Sequence, residues 1–260
     1  MNLTEDYVDL ETPSGAMRTH RVRPAVAGTY PGVVLFSEIF QVTGPILRTA
    51  RLLASRGYIV AIPEIYHEFE PPGVAFPYTP EGTDKGNRYK TEKALSAYDH
   101  DARVVLDHLM SLPECSGQLG CVGFCIGGHL AFRCAMNQDV LATACFYPTD
   151  IHKRSLGKGK RDDSLERAAE IKGELLMIFG RQDPHIPQQG RDLIYRGLND
   201  AGANFTWHEF NAEHAFIRDE GYRYNASLAQ LCHAMTFELF QRKLYAGEQT
   251  AVKTEGEGRH

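Results

Sequence analysis

The stretch Gly123-Phe124-Cys125-Ile126-Gly127-Gly128 follows the apolar run Leu119–Val122 and precedes a helical pattern. A cysteine flanked at two positions on either side by glycine, on a strand-to-helix turn, has the form of a nucleophile elbow. So tight a turn strains the backbone of the central residue, and its neighbours must lack bulk for strand and helix to approach. The side chain then stands at the positive end of a helix, where a thiolate or an oxyanion is favoured. The same glycines could instead shape a phosphate-binding turn around an inert Cys. Against that, the Lys-Ser/Thr of a P-loop is absent, and the glycines do not form Gly-x-Gly-x-x-Gly.

A thiol needs a base, because at neutral pH a free cysteine is only a few per cent thiolate. Of the eleven histidines, most lie in helical or surface stretches where solvation is the ordinary role. His214 differs: it sits in Asn211-Ala212-Glu213-His214-Ala215-Phe216, just after the strand pattern Phe205–Phe210 and before the last helix. An acid between Cys125 and His214 would complete the chain order nucleophile, acid, base. Asp183, in Phe179-Gly180-Arg181-Gln182-Asp183-Pro184, follows a strand and fits. Alone, an Asp before Pro reads equally well as an Asx turn or a helix cap.

Together, Ser37-Glu38-Ile39-Phe40, the elbow at 123–128, Gly-Arg-Gln-Asp-Pro-His-Ile-Pro at 180–187 and Glu-His-Ala-Phe at 213–216 resemble the dienelactone hydrolase (carboxymethylenebutenolidase) family. The motifs span nearly the whole chain in order, and Cys in the elbow is their specific part. The resemblance implies an α/β-hydrolase fold with Cys125, Asp183 and His214 as triad. It also implies that Glu38 is an extra carboxylate that holds the resting thiol, although an exposed strand-end role is the alternative. The backbone N–H groups of Ile126 and Ile39 would form the oxyanion hole. The family's two arginines would correspond to Arg218, shortly after the His, and Arg88, before a long helix. Either could simply face solvent, Arg218 by pairing with Asp219 or Glu220. The charged stretch 152–172 and the Pro/Gly-rich stretch 66–91 depart from the family pattern, which leaves substrate choice open.

The elements that must position these residues follow from periodicity. Short apolar runs near 32–36, 58–62, 119–123, 140–146, 174–179 and 205–210 read as strands. Amphipathic stretches at 45–56, 92–111, 126–136, 188–201 and 222–243 read as helices. Such alternation predicts an α/β fold with a mostly parallel central sheet and helices on both faces. Residues 6–26 look like an antiparallel edge hairpin turning at Pro13-Ser14-Gly15. The segment 66–91, with four prolines, three glycines and the aromatics Phe69, Phe76, Tyr78 and Tyr89 among its residues, is expected to be a long structureless loop walling the pocket. The segment 152–172 is expected to be a solvated surface excursion, and the chain from 246 to 260 a disordered tail. At 260 residues, a single domain over 1–245 is expected.

Composition removes other classes. The net charge of −5 and the scattered Lys and Arg give no stripe for nucleic acid. No apolar run approaches the length of a membrane span, and Glu5, Asp6 and Asp9 break any leader pattern. Six cysteines without a Cys-x-x-Cys pair suit free thiols in a reducing cytoplasm. The expectation is therefore a cytoplasmic, cofactor-free and metal-free enzyme, monomer or homodimer, that hydrolyses a small, in some cases anionic, ester or lactone. A broad carboxylesterase or thioesterase, and a non-catalytic ligand-binding protein on the same fold, are the alternatives.

Overall fold

A computed structural model describes residues 1–245; the tail from 246, expected to be disordered, lies outside the described residues. Strands β1 (Leu3–Thr12) and β2 (Gly15–Pro24) form the expected antiparallel hairpin. They are followed by β3 (Tyr30–Phe36), α1 (Gly44–Ala54), β4 (Ile59–Pro63), α2 (Pro80–Glu92) and α3 (Leu95–Ser111). Next come β5 (Cys115–Phe124), α4 (Ile126–Cys134), β6 (Val140–Phe146), β7 (Glu174–Gly180), α5 (Gln188–Asp200), β8 (Asn204–Phe210) and α6 (Ala226–Leu244). All eight strands join one sheet in the order β1-β2-β4-β3-β5-β6-β7-β8. From β4 to β8 every neighbouring pair is parallel, and only β2, antiparallel to both β1 and β4, runs against the rest.

The central strands carry uninterrupted apolar runs because both of their faces are covered. Gly32 in β3 lies under Leu109 of α3, whereas Gly120 in β5 lies under Phe240 and Leu244 of α6. Leu119, not Gly120, is the register partner of Gly32. Neighbouring residues of a strand point to opposite faces, so α3 and α6 cover opposite sides of the sheet.

Two expectations are corrected. Residues 66–91 are not structureless, because their second half is α2, capped by Thr79 with Pro80 in the first turn. Phe76 and Tyr89 of this segment pack with Tyr66 in the core. The charged segment 152–172 is not a loose surface excursion either. Its Asp162 and Ser164 are buried against α4, where Ser164 Oγ meets His129 Nε2 at 2.7 Å and accepts from Arg133 Nη1 at 2.9 Å.

Candidate active site

Cys125 occupies the junction of β5 and α4 with φ 60° and ψ −121°, a conformation that L-residues adopt only under constraint. The constraint is visible on both sides. A Cβ on Gly123 would collide with the carbonyl of Gly127, and one on Gly127 with the carbonyls of Phe36 and Ser37. Cys125 N–H donates to Phe146 O at 3.1 Å, and its carbonyl accepts from Gly128 at 3.1 Å, so the turn is held on both flanks. The side chain is half-buried and lines a cavity of about 260 Å³ at the C-terminal ends of the central strands.

His214 and Asp183 arrive there from the ends of β8 and β7. His214 Nδ1 lies 2.6 Å from Asp183 Oδ2, both side chains are buried, and Asp183 Oδ1 also accepts from His185 N–H at 2.8 Å. The rings of Tyr147 and His185 stand edge-on to His214, with centroids at 5.0 and 4.7 Å. Burial opposes charge on His214. The facing Cys125 sulfur and the hydrogen bonds with Asp183 and Cys125 more than offset this, and the imidazole is pushed up to about 10 from its ordinary 6.5. Burial likewise opposes ionisation of Asp183, yet His214 and the His185 N–H hold its carboxyl below the ordinary value.

Glu38, at the turn after β3, is buried and meets Arg218 Nη1 at 3.3 Å. Arg218 thus points inward, with its guanidinium 4.2 Å over the Tyr78 ring, and its Nε donates to the Glu220 carbonyl at 3.0 Å. The surface carboxylates Asp219 and Glu220 are taken instead by Arg48. Ile39 and Ile126 N–H find no acceptor among the described residues, which leaves both donors available; Ile126 is the first residue of α4.

Arg88 is not brought into this cavity. It is exposed, lies over the Tyr89 ring and stands 3.8 Å from Glu92. Lys90, two residues on, faces inward and pairs with Asp150 at 2.9 Å. Lys153 and Arg223 also line the cavity, and neither has a carboxylate partner among the described residues. Sequence reasoning missed Lys90, Lys153, Arg223, Tyr147 and His185. Only His185 had a signal, within the 180–187 motif.

Outside the cavity, His67, Glu68 and Asp101 lie close enough to hold a metal ion. The buried Lys93 ammonium already stands among them, 2.5 Å from Asp101, 3.0 Å from Glu68 and 3.2 Å from His67. The cluster's positive charge is therefore supplied by the chain itself.

Residues 17–244 match the dienelactone hydrolase family. The chain belongs to that family. It is 46% identical to the Saccharomyces cerevisiae protein named "Putative carboxymethylenebutenolidase" over 256 residues, covering 94% of this chain and 93% of that one. It is 30% identical to the carboxymethylenebutenolidase of Pseudomonas putida over 212 residues, 78% of this chain and 82% of the relative. The crystal structure titled "Putative Dienelactone Hydrolase" from Klebsiella pneumoniae superposes with a TM-score of 0.82 at 21% identity, covering 93% of this chain and all of that one. The dienelactone hydrolase fold seen here is accordingly the α/β-hydrolase fold, and the chain is a hydrolase of ester bonds. Among the described residues no helix is long and apolar enough to cross a membrane.

Proposed function

We propose that this enzyme hydrolyses a small ester or lactone through a covalent thioester on Cys125. One observation carries the reading: a strained cysteine at a helix start faces a buried histidine whose Nδ1 is already taken by Asp183. That hydrogen bond leaves Nε2 as the nitrogen turned to the thiol, the arrangement of a nucleophile, a base and an orienting acid. The Cys125 thiolate attacks the carbonyl carbon, and the free N–H groups of Ile126 and Ile39 hold the developing oxyanion. The C–O bond then breaks, and the departing alkoxide takes the proton from the His214 imidazolium. In the second half His214 removes a proton from water as it attacks the thioester, which releases the acid and returns the thiolate.

Support for an anionic substrate comes from the cavity wall. Glu38 and Asp150 are matched by Arg218 and Lys90, so Lys153 and Arg223 remain as unmatched positive charge. We assign Arg218 to the substrate's polar end, where a planar guanidinium can hold a carboxylate by two hydrogen bonds. A rapid-quench experiment with an activated aryl ester tests the reading. A burst of phenol equal to the enzyme concentration, with a thioester on the Cys125 peptide by mass spectrometry, is expected. Turnover without that adduct overturns it.

A further inference from the structure

A second and larger chamber adjoins the one that holds Cys125. Its volume is about 570 Å³, against about 260 Å³ for the nucleophile's cavity. Small-molecule sites usually measure about 300–1,000 Å³, so the nucleophile's cavity alone suits only a compact ester, whereas the neighbour is large enough for a drug-sized group. The two share Glu38 and Arg218 as walls. At its inner end the larger chamber is floored by Phe124, which precedes the nucleophile, and by Tyr147, whose ring stands against His214. It is therefore built onto the back of the groups that do the chemistry.

Its walls come from α1, from α6 and from the loop after His214, and are largely apolar, with Ile46, Leu52, Ile217 and Phe237 among them. The charges at its rim are already spoken for. Arg48 is paired with Asp219 and Glu220, and the Arg56 guanidinium lies 4.9 Å over the Phe237 ring. A neutral apolar group loses water on entering such a space and leaves no ion pair broken.

We propose that this chamber receives an extended apolar arm of the substrate, so that the enzyme takes esters with one aryl or medium-chain arm in addition to compact lactones. The inference rests on Cys125 as nucleophile. The arm runs from the ester at Cys125 past the Glu38–Arg218 pair into the space between α1 and α6, and that space determines chain-length preference.

The test fills the chamber from opposite walls. Ala234→Trp on α6 and Thr49→Trp on α1 are compared with Leu231→Trp, an exposed position on α6 that does not line it. The readout is the ratio of kcat/KM for a long-armed ester to that for its short counterpart. p-Nitrophenyl octanoate is measured against the acetate, and octyl acetate against ethyl acetate, with thermal melts to confirm folding. Both filling variants should lower the ratio for at least one pair about tenfold or more, as expected when a hydrophobic pocket loses several methylenes of space. Leu231→Trp should leave it unchanged. Unchanged ratios in both folded filling variants, an equal fall in Leu231→Trp, or no long-arm turnover by the unmodified enzyme would overturn the inference. Cys125→Ala is run alongside: retained hydrolysis there overturns the catalytic reading instead, whatever the ratios show.

Discussion

Arg218 donates from Nη1 to Glu38 Oε2 at 3.3 Å, joining residues 180 positions apart inside the cavity that holds Cys125. The pair explains why neither residue is free to decorate the surface. A carboxylate this buried needs a partner, and a lone one in a low-dielectric site would be costly. The arginine in turn is oriented by Tyr78 and by the Glu220 carbonyl, so its remaining N–H groups are directed rather than floppy.

Arg218→Ala should therefore slow hydrolysis of an anionic lactone by roughly ten- to a hundredfold in kcat/KM, equivalent to about 1.5–3 kcal/mol for a lost charge-assisted contact. A neutral ester of similar size should lose much less. Steady-state kinetics on the matched pair decides. Equal losses on both would mean that Arg218 acts only by holding Glu38.

Cys125 should be the first thiol alkylated by iodoacetamide near neutral pH, and substrate should protect it. All six thiols are free, but four of the five competitors are poor thiolates, and the fifth, Cys121, is fully buried. Burial pushes Cys145 well up and Cys232 to about 12, and it raises the half-buried Cys115 as well. Cys134 is raised by its hydrogen bond with Cys121 and by burial. Peptide mapping after a short pulse should find label on Cys125 in proportion to lost activity. Loss of activity with label elsewhere would count against the assignment.

Much of this was readable from residue order, and the exceptions have physical causes. The strand–helix alternation, the elbow and the Cys-Asp-His order are local or serial signals, and the sheet realises them within a few residues of the expected bounds. Helix α2 was masked because Gly82 and Gly86 look like loop residues. Both are there because a Cβ would strike backbone, the Pro77 carbonyl in one case and the Ile39 carbonyl in the other. The missed helix also explains Arg88. Two residues along a helix is a rotation of about 200°, so if Lys90 faces the cavity Arg88 must face away. The burial of 152–172 was invisible for another reason: Asp162 and Ser164 become core residues only through His129 and Arg133, some 30 or more positions earlier.

His214 should keep its proton far into the alkaline range and lose it only near pH 10. Since the folded value lies above the ordinary 6.5, the stability this group contributes is complete below about 6.5 and disappears as pH rises through about 10. Removing the sulfur removes the largest of the influences that favour the charge, and burial then opposes it. In Cys125→Ala the titration midpoint of His214, followed by the NMR shift of its Cε1, should drop well below that of the parent enzyme. An unchanged midpoint would show that Asp183 alone keeps the proton on.

Ser164→Ala tests the anchor between the charged segment and α4, the helix that begins directly after Cys125. The Ser164 hydroxyl is fully buried and shared by His129 and Arg133. His129 Nδ1 already has no partner, and Asp162 Oδ1 stands 3.3 Å from its Nε2. Deleting the hydroxyl removes the nearest partner of a buried imidazole, at a cost of about 1–3 kcal/mol. That loss should appear as a lower urea midpoint at unchanged slope. Because the same segment carries Lys153 to the cavity wall, with Asp150 just before it, the variant should also raise KM for an anionic ester more than it lowers kcat. Limited proteolysis between 152 and 172 should quicken in parallel. A wild-type midpoint would mean that Asp162 suffices for His129, and a fall in kcat alone would mean that the anchor serves Cys125 through α4 rather than the wall through Lys153.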